Sequence, residues 1–210
     1  MKVKGFLYGL IASATFGLIP LFSIPALENG VGLDSLLFYR FSLASVLVAV
    51  LMWVKKIPFD IQKSEFGIAF ILGTLYAITA LWLTEAYLYI PSGVATTIHL
   101  CGGNTPGGSI NIKGLMLVLA TVIAYAAYIV GMNRSRIARL DSLKATFYIL
   151  LSGAIVFLVN LAIKGDFPDP MPNLATTIDV LMVAFLPTLV SDLTLILPIR
   201  YIRSTTTTIL

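Results

Sequence analysis

Charge is scarce in this 210-residue chain: only 11% of its residues are Asp, Glu, Lys or Arg, against about 25% in an ordinary soluble domain. It has one cysteine, Cys101, so no disulfide can form within it, and one histidine, His99. A lone His–Cys pair falls short of the four ligands of a structural zinc site. His-Glu-x-x-His, Gly-x-Ser-x-Gly and a phosphate-cradling glycine loop before a helix are all missing. We therefore expect no enzyme, no metal and no cofactor. No soluble nucleotide domain is present, which excludes an ATP-driven pump. The net charge of +4 is spread over short loops, with no basic patch interleaved with aromatics. That excludes nucleic acid as a partner.

What the chain has in abundance is apolar surface: 58% of its residues are hydrophobic. Too few polar residues exist to cover that area in water, so the lipid bilayer is the expected partner. Runs of roughly 20 apolar residues can each cross a bilayer core of about 30 Å, and only an α-helix lets each run satisfy its own backbone in lipid. Six runs fit: residues 5–27, 35–54, 66–90, 114–133, 143–163 and 180–199. The expected fold is all-α, a polytopic bundle of about six transmembrane helices. Lys2 and Lys4 ahead of an apolar stretch with Ala12-Ser13-Ala14 imitate a secretory signal. The run continues uncharged to residue 27, so a retained first helix is expected.

Gly5, Gly9, Ser13 and Gly17 form a small-residue stripe on the first span, and Ala69, Gly73 and Ala77 form another on the third. Such stripes let helices approach closely. Pro20 and Pro25 are expected to bend the end of span one. After residue 90 a hydroxyl-rich segment starts and breaks at Cys101-Gly102-Gly103-Asn104-Thr105-Pro106-Gly107-Gly108, which cannot propagate a helix.

Lysine and arginine mark cytoplasmic loops. Here they cluster at the N-terminus, at Lys55, Lys56 and Lys63, at Arg134, Arg136 and Arg139, and at Arg200 and Arg203. These clusters alternate with loops carrying one or none. The expectation is a multi-pass protein of the cytoplasmic membrane with both termini inside.

The chain also repeats itself. Lys4-Gly5 returns as Lys113-Gly114, Leu33-Asp34-Ser35-Leu36 as Leu140-Asp141-Ser142-Leu143, and Tyr89-Ile90-Pro91-Ser92 as Tyr201-Ile202-Arg203-Ser204. The expected units are residues 1–100 and 113–210, joined by a Gly-rich linker at 101–112. Three spans per unit is an odd number, so the second unit enters from the opposite face. Inverted repeats are typical of secondary transporters, which place a solute site between the halves.

Tyr39-Arg40-Phe41, Ala86-Tyr87-Leu88-Tyr89, Ser92-Gly93-Val94-Ala95-Thr96-Thr97-Ile98 and Leu186-Pro187-Thr188 together resemble the EamA branch of the drug/metabolite transporter superfamily. That resemblance implies a permease for small organic metabolites, built from ten helices in two inverted units. About four of those ten are missing here, which implies an internal deletion and a shortened end. The expected function is a secondary transporter moving a small organic metabolite by alternating access. The alternatives are a non-transporting remnant, or a small scaffold that dimerises through its glycine stripes.

Arg40 lies one turn inside span two, where a charge deep in lipid costs at least about 2.5 kcal/mol. It reads either as an anchor for an anion or a carboxylate or as a snorkelling side chain. Tyr39 beside it reads as an interfacial anchor. Glu85 approaches the same face, within reach of a pairing with Arg40 as a clamp or a coupling site, and is a candidate to bind the solute. Trp82, Tyr125 and Tyr128 are candidates to line a solute pocket or simply to pack. The resemblance places Thr96 and Thr97 at the family's cavity. Asp192, deep in span six, is the candidate proton-coupling group.

Overall fold

The computed structural model describes residue 15 and residues 17–90 and 112–190. All regular structure among them is helical. In chain order the elements are α1 (Ile19–Glu28), α2 (Leu33–Val54), α3 (Lys63–Ala86), α4 (Ile112–Arg134), a 3-10 turn (Arg136–Arg139), α5 (Ser142–Lys164) and α6 (Leu174–Val183), which continues as a π turn (Ala184–Val190). Gly5, Gly9, Ser13, Thr96, Thr97, His99, Cys101, Asp192, Arg200, Arg203 and the second Tyr-Ile-x-Ser copy lie outside the described residues.

Spans two, four and five fall within a few residues of their expected bounds. Span three stops as a regular helix at Ala86, where the Leu88 and Tyr89 N–H groups turn back onto the Glu85 and Ala86 carbonyls. The sixth span starts earlier than expected, at Leu174, because Asn173 caps it: its Oδ1 accepts the Thr176 N–H at 2.8 Å. Asp179, just ahead of the expected run at 180–199, is inside that helix. Pro20 does more than bend the first span. Gly17 and Leu18 form a turn, and α1 restarts with Pro20 in its first turn, where a missing N–H is harmless.

Helices α2 to α5 are each long and apolar enough to cross a membrane, and α1 and α6 are shorter apolar helices. Val46, Val50 and Trp53 of α2, Ile71 of α3, Ile123 of α4 and Ile163 of α5 all face outward. In water such patches would drive aggregation; in lipid they are the expected outer face. The chain is a membrane helix bundle.

The packing has a pattern. Helix α2 lies against α5; α3 lies against both α4 and α5; α1 packs on α6, and α2 on the π turn. Thus, taking α1–α3 and α4–α6 as two sets of three, the second helices meet, and the first helix of each set meets the third of the other. Exchanging the two sets maps these contacts onto themselves.

Two glycines make the close approaches. The Phe41 ring sits on Gly153, where a Cβ would stand 2.5 Å from the ring. Phe157 and Tyr76 flank that ring at 5.5 and 5.3 Å between centroids. At Gly73 a Cβ would stand 2.5 Å from Ser152 Cβ and 2.6 Å from the Ile149 carbonyl oxygen. The Ala69-Gly73-Ala77 stripe is therefore consumed inside the chain, against α5. It is not the free seam that dimerisation through Gly73 requires.

Candidate functional site

Arg40 is 2% exposed. It does not snorkel. Its Nε donates to Thr188 Oγ1 at 2.6 Å, and its guanidinium carbon lies 5.8 Å from the Phe41 ring centroid.

The local sequence explains why Thr188 is ready to accept. Pro187 has no N–H, so an α-helix would leave the Val183 carbonyl without its usual donor. The backbone opens into the π turn, and Thr188 Oγ1 donates to that carbonyl at 2.8 Å. A hydroxyl has one hydrogen and two lone pairs. With its hydrogen given to Val183, Thr188 presents only acceptor capacity to Arg40. π turns of this kind often mark functional positions.

Glu85 does not pair with Arg40, as the sequence suggested. It pairs with Lys113 at 3.5 Å, and Lys113 also donates to the Tyr89 hydroxyl at 2.5 Å. The reason is position: Glu85 ends α3 beside the start of α4, while Arg40 faces the π turn of α6. Glu85 thus ties the end of α3 to the start of α4. Tyr128 is buried and stacks on Tyr76 at 5.2 Å, with Tyr125 at 5.9 Å. Through Tyr76 and Phe41 this aromatic chain runs to Arg40. Trp82 is half-buried on α3. Sequence reasoning quoted Thr188 only for its resemblance and overlooked Tyr76. The signal for Thr188 was the preceding proline in an apolar helix.

Two polar latches close the ends of the bundle. At one end, loop 165–173 docks on the start of α2. The Asp169 carboxylate accepts the Gly32 N–H at 2.8 Å, and the Asp169 carbonyl accepts the Tyr39 hydroxyl at 2.9 Å. The Asp169 N–H donates to Ser35 Oγ at 3.0 Å. Asp34 adds an ion pair with Lys164 and a bond from Asn160. At the other end, loop 55–62 docks on the start of α5. The Phe59 carbonyl accepts the Tyr148 hydroxyl, and the Asp60 carbonyl accepts Lys144 Nζ at 2.7 Å.

The latches correspond in sequence. The interval between Lys4-Gly5 and Lys113-Gly114, two residues longer than that between Leu33-Asp34 and Leu140-Asp141, also separates Tyr39 from Tyr148 and Asp60 from Asp169. Each tyrosine sits six residues after the first residue of its helix. Because α2 starts where α5 ends, the latches stand at opposite ends of helices roughly 33 Å long.

Beside the first latch is an open depression of ≈ 210 Å³ lined by Asp34, Asp166 and Asp169. At the opposite end one of ≈ 360 Å³ is lined by Arg134, Arg136 and Arg139. No group of three metal-ligating side chains exists among the described residues.

Comparison with known proteins agrees with the resemblance read from the residues. The EamA-like transporter family matches residues 112–210, just under half of the chain. No curated protein matches it. From α4 onward the chain is similar to the EamA-like transporter family, a likeness that together with its apolar helices points to a membrane transporter-like protein.

Proposed function

We propose that the protein is a secondary transporter that carries a small organic solute across the cytoplasmic membrane by alternating access, with both termini in the cytoplasm. The observation that carries this reading is the pair of sequence-related latches, one at each end of an antiparallel α2–α5 pair. A carrier built from inverted halves must open at one end while closed at the other, and corresponding latches are the parts such a cycle requires. Arg40 adjoins Tyr39 of the first latch and faces the Thr188 turn. In this reading Trp82 and Tyr128, with Thr96 and Thr97, surround the solute, Glu85 holds the junction beside it, and Asp192 couples its movement to protons.

Accessibility measurements in proteoliposomes test the cycle, using a Cys101→Ser background and an impermeant maleimide. The reporters are Leu36→Cys and Ala145→Cys, corresponding buried positions under the two latches. Asp169→Ala should raise labelling at the first reporter and lower it at the second. Tyr148→Phe with Lys144→Met should do the reverse. Reporters that rise together, or do not respond, would refute alternating access. Cys101 itself should label from outside in intact cells; labelling only from the cytoplasm would refute the orientation. Flux of a solute panel, with and without Asp192→Asn, then tests transport and its proton coupling.

A further inference from the structure

We infer that Arg40 binds the carboxylate of a small organic solute, and that Thr188 is the positioning residue that sets the guanidinium for it. The inference deepens the transporter reading, on which it rests, by naming the chemical class of the cargo.

Arg40 is a buried cation, and among the described residues it makes no ion pair: the acid–base pairs there are Lys113–Glu85, Lys144–Asp60 and Lys164–Asp34. A buried guanidinium without an anion is strongly unfavourable, so an anion supplied by a ligand is the natural partner. The hydrogen bonds narrow its form. Thr188 occupies Nε at 2.6 Å and is itself held by the Val183 carbonyl. That leaves the two Nη groups, whose parallel N–H bonds match the two oxygens of one carboxylate.

Charge balance narrows the class further. Lys144 is the other buried cation among the described residues, and it is engaged by Asp60 at the opposite end of α2. One fixed positive charge suits a single carboxylate better than a doubly charged phosphate. Lysine would not do the same work, since it offers a point charge without the planar fork.

The test uses the full chain in nanodiscs and acetate as the minimal carboxylate, so that it does not depend on the rest of the solute. The readout is the apparent melting temperature against concentration. Acetate should raise it saturably; acetamide, identical in size and uncharged, should not. Inorganic phosphate should act at least tenfold more weakly. Arg40→Lys should weaken the acetate response about tenfold, and Arg40→Gln should remove it. Thr188→Val should weaken it severalfold and Thr188→Ser should restore it, which a purely structural threonine would not do. If Arg40→Gln does not fold, the Thr188 pair and Arg40→Lys decide.

Equal responses to acetate and acetamide, a stronger response to phosphate, or an acetate response that survives Arg40→Gln would each overturn the inference. The outcome is separable from the transporter reading. Saturable acetate binding without flux keeps the site and removes transport, whereas flux that ignores a carboxylate keeps transport and removes the site.

Discussion

Gly73 is the position where a single methyl group should do most harm. A Cβ there would stand 2.5 Å from Ser152 Cβ and 2.6 Å from the Ile149 carbonyl oxygen. Neither obstacle is the end of a flexible side chain. The carbonyl belongs to the backbone of α5, so relief requires α3 and α5 to part. Overpacking of this kind costs about 1–3 kcal/mol. For a chain of this size each kcal/mol moves the melting temperature by about 2–4 °C, so Gly73→Ala should melt about 2–12 °C below the parent protein. Two other helical glycines are the controls. At Gly131 the obstacle is Leu72 Cδ2 at 2.8 Å, the tip of a rotatable side chain, and at Gly67 nothing lies within 4 Å. Gly131→Ala should be near neutral. Gly67→Ala, at an exposed helical position, should gain about 0.5–1 kcal/mol from the better helix former. Fluorescence-detected gel filtration of heated, detergent-solubilised samples measures all three. A Gly73→Ala protein that melts with the parent, or controls that fall equally, would refute the α3–α5 packing described here.

Gly165 ends α5 at φ 74°, with open space around it. Gly165→Ala should therefore lose about 1–2 kcal/mol through backbone conformation alone, read as a lower melting temperature with no loss of helical circular dichroism. Asn173→Ala removes the cap of α6 and should cost about 1 kcal/mol, with faster amide exchange confined to the first turn of that helix. Pro187→Ala restores an N–H for the Val183 carbonyl, so the π turn should close to a regular helix. Its melting temperature should rise while the acetate response falls, and a response left intact would detach Thr188 from any positioning role.

The helices were legible because lipid asks little of a sequence beyond continuous apolar length. Spans two, four and five could be bounded by Asp34, Lys55, Lys113, Arg134, Asp141 and Lys164, charges that do not sit cheaply in hydrocarbon. The same logic misplaced the start of α6. Asp179 imitates a boundary, although the capping signal of Asn173 lies upstream. Arg40 was legible as a charge out of place. Its partner was not, because Glu85 offered the opposite charge while Thr188 offered only a hydroxyl, and hydropathy cannot say which helix faces which. The stripe at Gly73 was correctly read as a close-packing face, but its partner, α5, was again invisible in one dimension.

The departures from twofold correspondence are as informative as the correspondence. At the interval that relates Tyr39 to Tyr148, Arg40 relates to Ile149, which is buried at 2%. Thr188 relates to Thr79, also buried, and Pro187 to Ile78. Without a proline, α3 stays a regular helix there, and Thr79 Oγ1 merely donates to the Leu75 carbonyl one turn back at 2.8 Å. The latches are thus duplicated while the charge and the π turn are not. In the proposed cycle the ends are matched because each must open in its turn, whereas the proposed carboxylate needs only one anchoring point. A second buried arginine at position 149 would have no acceptor prepared for it, since the Thr79 hydroxyl sits in an unbroken helix. The proline, more than the threonine, is what makes one of two equivalent helix crossings able to hold a cation.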